Sequence, residues 1–77
     1  NNIVTLTWEK LNIKDVTYSV YVKDNKNGEN GFTLYENSLQ ENYISIPIKE
    51  EFNIDVYVIG SKDGEFSKQS NIINVKI

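Results

Sequence analysis

The chain has 77 residues, of which 39% are hydrophobic, 12% aromatic and 25% charged, a balance too apolar for disorder that fits one small domain with a single core. It contains no Cys, His, Met, Arg or Ala, so it has no disulfide, no imidazole base, no thiol nucleophile and none of the usual ligands of a structural zinc. A formal net charge of -3 without a single arginine argues against nucleic acid or an anionic membrane surface as partner, and no run approaches the roughly 18 apolar residues of a membrane-inserted helix.

Taken in chain order, the apolar residues recur with a period of two. Val4, Leu6 and Trp8 alternate with Thr5, Thr7 and Glu9, and Val16, Tyr18, Val20 and Val22 alternate with Thr17, Ser19, Tyr21 and Lys23. A third strand is expected at Phe32–Glu36. Then Ile44, Ile46 and Ile48 alternate with Ser45, Pro47 and Lys49, Phe52, Ile54, Val56 and Val58 alternate with Asn53, Asp55 and Tyr57, and a last strand is expected at Asn71–Ile77. Each stretch is short, β-branched or aromatic, and apolar on one face, which predicts half-buried antiparallel strands. Pro47 predicts an edge strand or a strand end in its run. Asn27-Gly28 and Asn30-Gly31 in the polar stretch Lys23–Gly31, and Asp63-Gly64 in Ser61–Ser67, supply the positive φ angles that hairpins need. No window carries apolar residues at helical spacing over two turns. Six strands with two-faced patterning predict an all-β fold, a two-sheet antiparallel β-sandwich occupying residues 1–77 as a single domain.

Strand order and spacing make this reading more specific. Val4-Thr-Leu6-Thr-Trp8 resembles strand B of a fibronectin type III domain, Tyr18-Ser-Val20-Tyr-Val22 its strand C, and Phe32-Thr-Leu34-Tyr35 its strand C′. Tyr43–Ile48 falls where strand E lies, Phe52–Ile59 resembles strand F, Ser61–Ser67 the F–G loop, and Ser70-Asn71 leads into strand G. In this alignment strand A is missing or reduced to Asn1–Ile3, and Phe52 stands where the family has the tyrosine of its E–F corner, without the hydroxyl that makes that corner's bond. The resemblance implies a core built on Trp8, Tyr18, Val20, Ile54 and Val56. Gly31-Phe-Thr-Leu-Tyr35 also suggests a second Gram-positive surface sandwich, the collagen-adhesin B-type module, although no Lys–Asn cross-link pair is identifiable.

Candidate chemistry is sparse. Serine and threonine have no histidine partner, so a triad is excluded. A carboxylate pair such as Glu9 and Glu65 is conceivable, but the chain is too small to enclose a sugar, and isolated acids are usually solvated. From Asp24, an EF-hand register puts Lys26 and Gly28 where oxygen ligands are required, which leaves at most a weak, irregular Ca²⁺ cage from Asp24, Glu29 and loop carbonyls. No cofactor and no catalytic residue is expected. The F–G segment Lys62-Asp63-Gly64-Glu65 lacks the Arg-Gly-Asp site that some animal members of the family carry there. If Val20, Val22, Val56 and Val58 point inward, Tyr21 and Tyr57 point outward, with Tyr35 nearby. That places three tyrosines on one exposed face, suited either to stacking on a sugar or protein or to bracing the sheet.

The chain opens Asn1-Asn2, and it is rich in Asn, Ile and Lys. These features predict an excerpt of a longer protein from an AT-rich bacterial genome. By resemblance, such modules belong to secreted or cell-surface bacterial proteins, carbohydrate-active enzymes or adhesins. They act there as non-catalytic spacers that position neighbouring domains, with chain ends leaving from opposite ends of the sandwich. The alternative is a carbohydrate- or protein-binding module that uses Tyr21, Tyr35 and Tyr57.

Overall fold

The computed structural model describes residues 2–48 and 51–76, and every regular element is a β-strand. In chain order these are β1 (Asn2–Thr7), β2 (Thr17–Asp24), β3 (Thr33–Leu39), β4 (Tyr43–Ile48), β5 (Asn53–Lys62), β6 (Glu65–Phe66) and β7 (Ile73–Lys76). The expected strand ends at Lys49 and Ile77 lie outside the described residues, as does Asn1.

The strands form two antiparallel sheets. β1 and β4 make the smaller one, while the larger runs β3-β2-β5-β6, with β7 also pairing β5. The alternation read from the sequence decides which side chains lie between the sheets. Ile44 and Ile46 from β4 meet Tyr18 and Val20 from β2 and Ile54, Val56 and Val58 from β5 in one buried cluster, and Ile48 is buried as well. Each such aliphatic side chain contributes about 1.5–3 kcal/mol on leaving water. Pro47 points outward from β4, which among the described residues is hydrogen-bonded to β1 alone, the edge setting that proline's missing N–H requires.

Four expectations need correction. Asn2 and Ile3 are not a remnant of an earlier strand, because they pair with Ile48 and Pro47 as the start of β1. Trp8 lies beyond β1 and is only partly buried. The segment Ser61–Ser67 is not all loop, because β5 continues through Lys62 and turns at Asp63 (φ 52°) and Gly64 (φ 81°) into β6. A seventh, two-residue strand results. Asp-Gly supplies the left-handed pair that a two-residue hairpin turn demands, since its twist matches that of the strands.

The fourth correction concerns the chain ends. Asn2 is opposite Ile48 and Lys76 is opposite Asn53, and Ile48 and Asn53 flank one short connection. The first and last described strands therefore start and stop at the same end of the sandwich, not at opposite ends. The segments 8–16 and 40–42 and the β5–β6 turn occupy the other end.

Between β6 and β7 the edge is closed by side chains instead of a ladder. Ser67 and Ser70 accept the backbone N–H groups of Gly60 and Val58 on their hydroxyls, at 2.9 and 2.8 Å. Their own N–H groups donate back to Gly60 O and Val58 O, at 2.9 and 2.8 Å. The chain can bulge away from β5 here without orphaning β5's donors.

Candidate functional site

The outer face of the β2–β5 pair collects the candidate residues. Antiparallel register sets Tyr21 directly opposite Tyr57, and opposed residues share a face. The two rings stack with centroids 5.0 Å apart and planes 14° from parallel. Phe32, just before β3, sets its ring edge-to-face with Tyr57 at 4.8 Å. The Lys23 ammonium lies 5.5 Å from the centre of the Phe32 ring. Each such contact is worth about 0.5–1.5 kcal/mol beyond area burial.

Two pairs further along the same ladder, Lys23 faces Asp55, and Asp55 in turn faces Asn74 on β7. Lys23 Nζ lies 3.5 Å from Asp55 Oδ2, and Asn74 Nδ2 donates to Asp55 Oδ1 at 2.8 Å. Asn74 Nδ2 also reaches Asn53 Oδ1 at 2.8 Å, and Asn25 Nδ2 donates to that same oxygen at 3.2 Å. The Asn74 amide, and after it the Asn25 amide, hold the Asp55 carboxyl below its ordinary value of 3.8 against the opposing effect of burial, and the Lys23 charge adds a lesser push in the lowering direction.

Tyr35 does not belong to this cluster. The β2–β3 register shifts between the pairs Tyr21–Leu34 and Val20–Glu36, which makes Tyr35 the extra residue of a β-bulge. It is exposed and lines a hollow with Ile46, Pro47 and Phe52 beside the β4 edge. Tyr21 and Tyr57 are half-buried. Of the three expected tyrosines, the structure brings two together and replaces the third with Phe32.

The residues expected in the core divide similarly. Tyr18 is 1% exposed and Val20 0%, and Ile54 and Val56 are also buried. The Tyr18 hydroxyl accepts the Leu11 N–H at 2.9 Å, which ties the segment after Trp8 to the core. Trp8 packs edge-to-face on Tyr18 at 5.5 Å. Its Nε1 is shielded from solvent and has no acceptor among the described residues.

Two other places were open to chemistry. In the Asp24 turn, Asp24 Oδ1 accepts the N–H groups of Lys26 and Asn27 at 3.0 and 3.3 Å, and Glu29 Oε1 accepts the Asp24 N–H at 2.8 Å. Both carboxylates thereby hold the turn. Among the described residues no three acidic side chains gather into a metal-binding group. At the end away from β1's start, Leu11, Ile13, Val16 and Phe66 line an open hollow of about 400 Å³, with Phe66 73% exposed.

Part of this could have been found in the sequence. The register that sets Tyr21 on Tyr57 also sets Lys23 on Asp55, so two further residues follow once one pair is fixed. Phe32 and Asn74 carry no such signal, because one lies outside a strand and the other depends on where β7 resumes. No protein-family model matches the chain, and a search of curated proteins finds no similar sequence.

Proposed function

We propose that residues 1–77 form a fibronectin type III-like, non-catalytic accessory module of a secreted or cell-surface bacterial protein, which positions neighbouring domains for work on a polymeric partner. The observation that carries this reading is the pairing pattern. β1 pairs β4, and β3, β2, β5 and β7 follow one another in the second sheet, which is the neighbour order implied by the resemblance of these segments to strands B, E, C′, C, F and G. The polar groups of the outer face support it as well. Asp55, Lys23, Asn74 and Asn53 bond to one another, and the Tyr21 and Tyr57 rings turn their faces to each other, so they brace the sheet.

Deleting the module from its parent protein is expected to lower activity or adhesion on the polymer and to leave turnover of a small soluble substrate unchanged. Unchanged behaviour on both overturns the reading.

A further inference from the structure

The connection between β2 and β3 contains two Asn-Gly pairs, Asn27-Gly28 and Asn30-Gly31, with the same chemistry and different settings. An asparagine followed by glycine is prone to attack on its own side-chain amide, because a residue without Cβ lets its backbone nitrogen swing close to the asparagine Cγ. Both pairs are exposed to water. Only Gly28 takes the positive φ of a turn glycine, 70°, and Gly31 does not. The second pair therefore serves no left-handed turn.

Asn27 is held away from that reaction. Its Nδ2 donates to Asp24 Oδ2 at 2.6 Å, and its backbone N–H donates to Asp24 Oδ1 at 3.3 Å. The Gly28 N–H, whose nitrogen would be the nucleophile, donates to Asn25 O at 3.3 Å. Attack on Asn27 Cγ breaks these bonds and develops an anionic oxygen beside the Asp24 carboxylate, where like charges repel. The bonds of residues 24–29 close the turn on itself. Among the described residues none of them reaches the Asn30 side chain or the Gly31 N–H, and the space where a Gly31 Cβ would stand is open.

We propose that Asn30 is a site of spontaneous modification in the folded chain, converted to aspartate and isoaspartate while Asn27 is preserved. Hydroxide removes the Gly31 N–H proton, and that nitrogen forms a bond to Asn30 Cγ. The Cγ–Nδ2 bond breaks, and its nitrogen takes up a proton and leaves as ammonia, which yields a cyclic imide. Water then opens the imide. Addition at Cγ gives aspartate, and addition at the backbone carbonyl carbon gives isoaspartate, whose main chain runs through Cβ and Cγ. Nothing is oxidised or reduced, since an amide nitrogen is exchanged for a water oxygen. Either product adds one negative charge to the formal net charge of -3. Isoaspartate also lengthens the main chain by a methylene two residues before Phe32, whose ring packs on Tyr57 at 4.8 Å, so this product alters the approach to the outer-face cluster.

The test incubates the folded 77-residue chain at mildly alkaline pH and cleaves it after lysine. Lys26 and Lys49 flank both pairs, so one peptide carries them and its fragment masses assign the converted residue. Asn30 is expected to convert at least about tenfold faster than Asn27, a ratio equivalent to about 1.4 kcal/mol and within reach of a hydrogen bond to a charged group. In denaturant the restraints on Asn27 are gone and the two rates converge. Gly31→Ala, which enters open space at a φ that alanine tolerates, suppresses conversion at residue 30, and Asp24→Ala accelerates it at Asn27. If Asp24→Ala fails to fold, the comparison of native with denatured chain decides alone. A folded chain that keeps Asn30 intact, or that converts Asn27 as fast, overturns the proposal. So does a preference for Asn30 that persists in denaturant, conversion undiminished in Gly31→Ala, or an Asn27 rate unmoved in folded Asp24→Ala.

Discussion

The inner and outer faces of the β2–β5 pair share one backbone ladder and are held by different physics. Inside, Tyr18, Val20, Val56 and Val58 are almost wholly removed from water, and their stabilisation follows the buried area. Outside, Tyr21, Tyr57 and Phe32 are half-buried and Lys23, Asp55 and Asn74 form a chain of polar contacts. There stability comes from pairwise geometry in partial contact with solvent, which yields less per residue. A side chain's contribution thus depends on which of the two faces its parity selects.

The widest gap between the faces appears on truncation. Tyr18→Ala empties a fully buried site and removes the acceptor of the Leu11 N–H; a loss of about 3–5 kcal/mol is expected in urea unfolding. Tyr57→Ala removes one stacked and one edge-to-face contact and should cost about 1–3 kcal/mol. A Tyr57→Ala loss as large as that of Tyr18→Ala would erase the distinction between the faces. Ser70→Ala probes the edge of the same strand. It strips the acceptor from the Val58 N–H and should cost about 1 kcal/mol, with faster amide exchange at Val58.

The smallest expected effect is the pH dependence of Asp55. Its folded pKa lies below the ordinary 3.8, so the carboxylate's contribution is complete above that value and is lost as pH falls through the lowered folded pKa. Asp55→Asn should therefore lower the melting temperature slightly at neutral pH, and the difference from the unaltered chain should vanish at the acid end. A difference that grows on acidification would contradict the network around Asp55.

How far each face was legible in the sequence follows from the same contrast. The inner face was readable because alternation at Val20, Val22, Val56 and Val58 is a period-two signal, and a buried face tolerates no polar residue in that register. The hairpin at Asp63-Gly64 was readable from its turn chemistry. The outer face was readable only where register propagates, from Tyr21–Tyr57 to Lys23–Asp55. Tyr35 was misplaced because alternation breaks at a bulge, and nothing in Phe32-Thr-Leu-Tyr-Glu marks which residue is the extra one. Phe32 was missed because its contact is made from outside a strand. The closure of β5 by Ser67 and Ser70 was missed because serine before a strand usually signals only a turn. Trp8 was placed too deep, because a tryptophan at the end of an alternating run can follow the strand and keep part of its ring in solvent.

The central claim is that Tyr21 and Tyr57 brace the outer face by acting on each other. A double-mutant cycle on Tyr21→Ala and Tyr57→Ala, followed by denaturant unfolding, tests this most directly. The account predicts a favourable coupling of about 0.5–1.5 kcal/mol. Strictly additive losses, together with a carbohydrate or protein ligand that the unaltered chain binds and the double variant does not, would contradict it.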